Sequence, residues 1–121
     1  MGKKRLLVID HEPQVTETIG RVTKKEGFDV GTVSTLHEAL ESIEEAEPDL
    51  VLLDAVYPDH SLVRALERLE EQGDYPIILM VSQDIHPDYY CGRNQVVDCL
   101  KKPFDSTDLL RCVKRVLGQR R

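Results

Sequence analysis

The sequence predicts an open, doubly wound α/β sheet: five parallel strands with helices on both faces, three layers in all. Three observations carry that expectation. Apolar runs recur that are continuous rather than alternating, as expected of strands covered on both faces. Stripes of apolar residues at helical spacing lie between them, so strand and helix alternate along the chain. Ionisable and polar side chains follow the runs, at the carboxyl ends of the strands, where right-handed crossovers leave the ligand crevice of such a sheet.

The elements follow in order. "LLVI" (6–9) reads as the first strand. Val15, Ile19 and Val22 then recur at spacings of four and three, and Gly27 closes that helix in the usual place just past its end. "FDVGTV" (28–33) is mixed in character and suits an edge strand. Leu36, Ala39, Leu40 and Ile43 form the second stripe, opened by Thr35 with Glu38 three residues on, a capping box. "LVLL" (50–53) is the third strand, and Leu62, Ala65, Leu66 and Leu69 form the third stripe, ending near Gly73. "IILMV" (77–81) is the fourth strand. Pro87, Gly92 and Asn94 interrupt 84–95, where a short or irregular helix is expected. "VVDCL" (96–100) is a fifth, shorter strand, followed by a stripe of Leu109, Leu110, Val113, Val116 and Leu117 with Asp105 or Ser106 as its cap.

A chain of 121 residues without repeats or linkers is expected to be one domain, 1–121, with one sizeable core. Its 40% hydrophobic and 31% charged residues fit a soluble globular protein, and no apolar run approaches a membrane span. The opening "MGKKRLLVID" lacks an extended apolar region before a small-residue cleavage site, so no signal peptide is expected, and Leu6 stands where myristoylation wants Ser or Thr. Cys91, Cys99 and Cys112 are odd in number and scattered, which argues against a disulfide framework and for a reducing, cytoplasmic setting. The net charge of −6 disfavours nucleic acid as a direct partner, and the basic ends read as solvated tails.

The strand ends carry the chemistry. Asp10, His11 and Glu12 follow the first strand, Asp54 the third ("LVLLDAVYPDH"), Ser82 the fourth ("ILMVSQD") and Lys102 the fifth ("CLKKPF"). Each has a plain structural reading: Asp10 as a cap of the first helix, Ser82 as a loop hydroxyl, Lys102 as a solvent-accessible charge. For Asp54, which directly follows an apolar strand and lines up with the other three, the functional reading outweighs the structural one. An aspartate accepts a phosphoryl group as a nucleophile where the charge gathering on the phosphoryl oxygens is neutralised. Two carboxylates about 4 Å apart repel by roughly 4 kcal/mol at an effective dielectric near 20, which is one reason such a cluster recruits metal.

These residues in this order resemble the receiver domain of two-component response regulators, and the resemblance runs from "LLVID" to the last helix. It implies a flavodoxin-like sheet in the order 2-1-3-4-5. It also implies transfer of a phosphoryl group from a histidine kinase or phosphotransfer protein onto Asp54, followed by altered binding of a downstream effector. Asp10 matches the first of the family's acidic pair, Ser82 its hydroxyl and Lys102 its lysine before proline. Mg2+ would be held by Asp10, Asp54 and the Val56 backbone carbonyl, with Glu12 or His11 as further candidates. The resemblance implies no enzyme with a substrate of its own, and no membrane.

The match has departures. His11 stands where the family has an acid that touches the metal, and imidazole is a poor ligand for hard, oxygen-seeking Mg2+. Three readings stay open: weakened Mg2+ binding, replacement by Glu12 or by an ion that His11 favours, such as manganese, or a pseudo-receiver that binds partners without phosphate. Leu62 replaces a glycine, Gln83 a small residue beside the hydroxyl, and Cys99 an aromatic three residues before the lysine. Tyr89 and Tyr90 read equally as a contact surface or as packing under a loop. A nucleotide or flavin binder on the same fold is disfavoured, because "DHEPQV" after the first strand contains no glycine.

Overall fold

The computed structural model describes residues 2–55, 62–82, 92 and 95–118. Strands β1 (Arg5–Ile9), β2 (Asp29–Val33), β3 (Leu50–Asp54), β4 (Ile77–Val81) and β5 (Val96–Lys101) alternate with helices α1 (Pro13–Lys25), α2 (Leu36–Ala46) and α3 (Leu62–Gln72), and α4 (Ser106–Gly118) follows β5. The strands form one parallel sheet in the order β2-β1-β3-β4-β5, as the resemblance implies. The helix expected over 84–95 falls mostly outside the described residues.

The burial pattern explains why the strands read as they do. The central strands β3 and β4 are buried at every position, and β1 at every position but Arg5. A strand covered on both faces has no solvent side to alternate with, so its sequence is a continuous apolar run. The edge strands β2 and β5 are only partly covered, which is why "FDVGTV" and "VVDCL" are mixed.

Side chains two apart share a sheet face. Leu7, Ile9, Val51, Leu53, Ile77 and Leu79 therefore point one way, where Ala39 and Ile43 of α2 and Leu62, Leu66 and Leu69 of α3 pack on them. Leu6, Val8, Leu50, Leu52, Ile78 and Met80 point the other way, against Ile19 and Val22 of α1 and Leu109, Cys112, Val113 and Val116 of α4. Each fully buried Leu or Ile in these layers contributes about 1.5–3 kcal/mol relative to an exposed one.

The local signals act as expected. Gly27 adopts φ of 95°, the left-handed conformation that ends α1. The Thr35 hydroxyl accepts from the Glu38 backbone N–H at 3.1 Å while the Glu38 carboxylate accepts from the Thr35 N–H at 3.1 Å, completing the capping box of α2. Of the two candidate caps of α4, Asp105 is the one whose carboxylate accepts the Asp108 N–H, at 2.8 Å. At the amino end of β4, Tyr75 is buried and its hydroxyl donates to the Leu69 carbonyl at 2.5 Å. Burial pushes the Tyr75 phenol up to about 12.

Candidate functional site

The even-numbered positions that face α1 and α4 continue past the strand ends. Leu6 and Val8 lead to Asp10, Leu50 and Leu52 to Asp54, Ile78 and Met80 to Ser82, and Leu100 to Lys102. Pairing of Leu6 with Leu50 and Val8 with Leu52 brings Asp10 opposite Asp54 by continuation of the register. Asp54 in turn pairs with Met80, and Val81 with Lys101, so the four groups fall on one edge of one sheet face. Backbone bonds hold that edge: the Asp10 N–H donates to the Val33 carbonyl at 3.1 Å, Ala55 to Met80 at 2.9 Å and Lys102 to Val81 at 2.7 Å.

There the side chains meet. The Lys102 ammonium donates to Asp10 Oδ2 at 2.8 Å, to Glu12 Oε1 at 3.2 Å and to Asp54 Oδ1 at 3.3 Å. Both aspartates are almost entirely out of water, with Asp10 0% and Asp54 4% exposed in their side chains. A buried carboxylate is costly unless a charge or several donors satisfy it, and Lys102 does so for two at once. Asp10 Oδ1 also accepts the Glu12 backbone N–H at 2.9 Å. Asp10 is therefore not the cap of α1: Glu12 occupies that position and Pro13 opens the helix.

The expectation of Lys102 as a solvent-accessible charge is corrected here. Its side chain is only 17% exposed, because the end of β5 delivers it over the carboxylates rather than into water. Burial by itself pulls its pKa down. The hydrogen bond to Asp10, with the charges of Asp54 and Asp10 and the bond to Glu12, outweighs that, so the ammonium is held above its ordinary range.

His11 occupies the other side of the pair. Its Nδ1 lies 3.1 Å from Asp54 Oδ2 and 3.9 Å from Asp10 Oδ1, while the ring is 55% exposed. Ligand atoms of Asp10, His11 and Asp54 all lie within 4.8 Å of one another. Glu12 turns its carboxylate to Lys102, a contact that no spacing in the sequence signals. Ser82 is half-buried just beyond β4. Val56, Gln83, Tyr89 and Tyr90 lie outside the described residues. Leu62 is buried against the α2 and α3 layer, and Cys99 packs partly buried on the same layer.

Comparisons with known proteins give the family and the fold. The chain belongs to the response regulator receiver domain family, whose profile matches residues 6–114. It is a receiver domain of the two-component class, with the phosphoacceptor role of that class. It is 30% identical over 114 residues to the transcriptional regulatory protein CpxR homolog of Haemophilus influenzae, covering 93% of this chain and 50% of that protein. It is equally 30% identical over 114 residues to the regulatory protein VanR of Enterococcus faecium, covering 93% of this chain and 49% of that one. The chain thus spans about half the length of the curated relatives it matches. In fold it is similar to the chemotaxis protein CheY4 of Vibrio cholerae, with a TM-score of 0.83 at 21% identity over 96% of this chain and 100% of that one.

Receiver domains bind Mg2+ through acidic residues and are generally not enzymes. The buried carboxylates of Asp10 and Asp54 suit a hard divalent ion. The third donor of the cluster is a neutral nitrogen, which suits it less well. No helix among the described residues is long and apolar enough to cross a membrane.

Proposed function

We propose that Asp54 is the phosphoacceptor of a cytoplasmic receiver domain comprising residues 1–121, which takes its phosphoryl group from a histidine kinase or phosphotransfer protein and switches the binding of a downstream effector. The observation that carries this reading is the Lys102 ammonium spanning Asp10 Oδ2 and Asp54 Oδ1, at 2.8 and 3.3 Å. An Asp54 carboxylate oxygen attacks phosphorus, the bond from phosphorus to the donor imidazole nitrogen breaks, and the donor leaves as neutral imidazole after taking up a proton. Lys102 exchanges its bond to Asp54 for one to a phosphoryl oxygen, a charge-assisted bond that forms only once the group has arrived. Ser82, on the same edge, donates its hydroxyl to another phosphoryl oxygen. Asp10 and Asp54, with the Val56 carbonyl, would hold Mg2+, which when bound neutralises charge on the phosphoryl oxygens. The domain acts on no small-molecule substrate of its own, and nucleic acid is not its direct partner.

Incubation with acetyl phosphate and a divalent ion, followed by intact mass measurement, tests this. One added phosphoryl group is expected for the wild type and none for Asp54→Asn. Equal labelling of Asp54→Asn would remove Asp54 from its role. Failure of the wild type to label with any divalent ion would favour a pseudo-receiver that works without phosphate.

A further inference from the structure

We infer that this site takes a first-row transition dication, of the series from Mn2+ to Zn2+, in preference to Mg2+, with His11 Nδ1 as a direct ligand. The inference deepens the reading of Asp54 as phosphoacceptor and rests on it.

The two sides of the carboxylate pair are divided between two cationic or donor groups. Lys102 holds Asp10 Oδ2 and Asp54 Oδ1. His11 faces the opposite oxygens, Asp54 Oδ2 at 3.1 Å and Asp10 Oδ1 at 3.9 Å. An ion seated among His11 Nδ1, Asp54 Oδ2 and Asp10 Oδ1 therefore need not displace Lys102. Ligands about 2.1 Å from a first-row ion stand roughly 3.0–3.4 Å apart. The two spacings from His11 lie within about half an ångström of that range, and ligand atoms of all three residues lie within 4.8 Å of one another.

The donor chemistry then selects the ion. Mg2+ takes oxygen ligands and gives up its water reluctantly, so replacing an anionic oxygen by a neutral nitrogen costs it both charge and ligand type. The later first-row ions gain from imidazole, and a site of two carboxylates and one histidine is a mixed N and O set that suits them. The ring is positioned for this: Nδ1 is turned to the carboxylates while much of the imidazole remains in water, where Nε2–H can be solvated.

The same substitution changes the metal-free protein. A third carboxylate at position 11 would add to the repulsion between Asp10 and Asp54, whereas an imidazole brings no negative charge. The site is thereby less dependent on a metal for its stability, and its choice of metal rests on ligand type more than on charge.

Titrations of the full chain with Co2+ and with Mg2+, each without phosphodonor, test the inference in wild type, His11→Ala and His11→Asp. The readouts are metal-dependent melting temperature, visible absorption of bound Co2+ and paramagnetic shifts of the His11 ring protons. Wild type should bind Co2+ more tightly than Mg2+ by a factor of about ten or more. His11→Ala should lose at least the roughly ten-fold in Co2+ affinity that even an outer hydrogen-bond partner of a metal ligand is worth, with little change toward Mg2+. His11→Asp should narrow the preference by gaining Mg2+ affinity. Unchanged Co2+ affinity in His11→Ala, or equal affinities of wild type for the two ions, would overturn it. The two readings fail separately: Asp54 labelled in Mg2+ with Co2+ indifferent to His11 sinks only this inference, and Co2+ bound through His11 with no labelling in any ion sinks only the phosphoacceptor reading.

Discussion

The two ends of the same sheet hold similar charges and use them differently. At the amino end, Arg5 Nε approaches Asp29 Oδ2 at 4.0 Å, and the two side chains are 50% and 64% exposed. At the carboxyl end, Lys102 meets Asp10 and Asp54 at 2.8 and 3.3 Å with almost no water on either carboxylate. An exposed pair gains little, because water and salt already satisfy each partner. A buried cluster is held together by mutual need, since each charge left alone would face a medium that cannot solvate it. Burial, rather than charge count, makes one end a candidate site and the other a solvated rim.

The largest expected effect follows directly. Lys102→Ala should lower stability by about 2 kcal/mol in urea denaturation, because it strips a charge-assisted bond from two buried carboxylates. Raising the salt concentration should shrink that loss only slightly. A loss no greater than that of Arg5→Ala would erase the distinction between the two ends.

A second test uses pH. Burial raises the Tyr75 phenol from 10.0 to about 12. Burial, with the nearby Asp98 carboxylate, raises the Cys112 thiol from 9.0 to about 12. Both groups fold in their protonated forms, so their contribution is whole below pH 9 and is lost as pH rises from 9 through 12. Alkaline denaturation should therefore steepen in that window, away from the acid cluster. Tyr75→Phe should remove the phenol's share of that slope while costing about 1 kcal/mol at neutral pH through the lost bond to Leu69. An unchanged alkaline limb in Tyr75→Phe would count against it.

Smaller effects belong to the amino end. Glu47, which ends α2, sits at φ of 42°, a left-handed conformation that disfavours a side chain. Glu47→Gly should stabilise the protein by about 0.5–1 kcal/mol, read from the urea midpoint, and a loss of stability would mean that the Glu47 side chain makes up for its backbone. Arg5 also donates from Nη1 to the Ala46 carbonyl at 3.3 Å. Arg5→Ala should therefore cost less than about 1 kcal/mol, and high salt should remove only the share that comes from Asp29.

The fold was legible because the central strands have no solvent face, and the capping residues Thr35, Glu38 and Gly27 act through local geometry alone. Asp10, Asp54, Ser82 and Lys102 were legible as strand-end residues, but that they share a sheet face follows from the pairing register between strands, which no single run states. The burial of Lys102 was not legible, since a lysine after an apolar run looks like a surface charge until β1, β3 and β5 stand side by side. Nor was the role of Asp98, the acid within "VVDCL", which pairs with Arg115 and accepts from Cys112 at 3.4 Å. Such contacts join residues far apart on different elements, and no periodicity encodes them.

The most direct measurement is the location of the acyl phosphate. After phosphorylation with acetyl phosphate and a divalent ion, borohydride reduces an aspartyl phosphate to homoserine, and peptide mass spectrometry reads which residue has changed. Homoserine at position 54, and absence of reduction at Asp10, is the predicted result. Reduction at Asp10 with Asp54 intact would contradict the assignment of the phosphoacceptor.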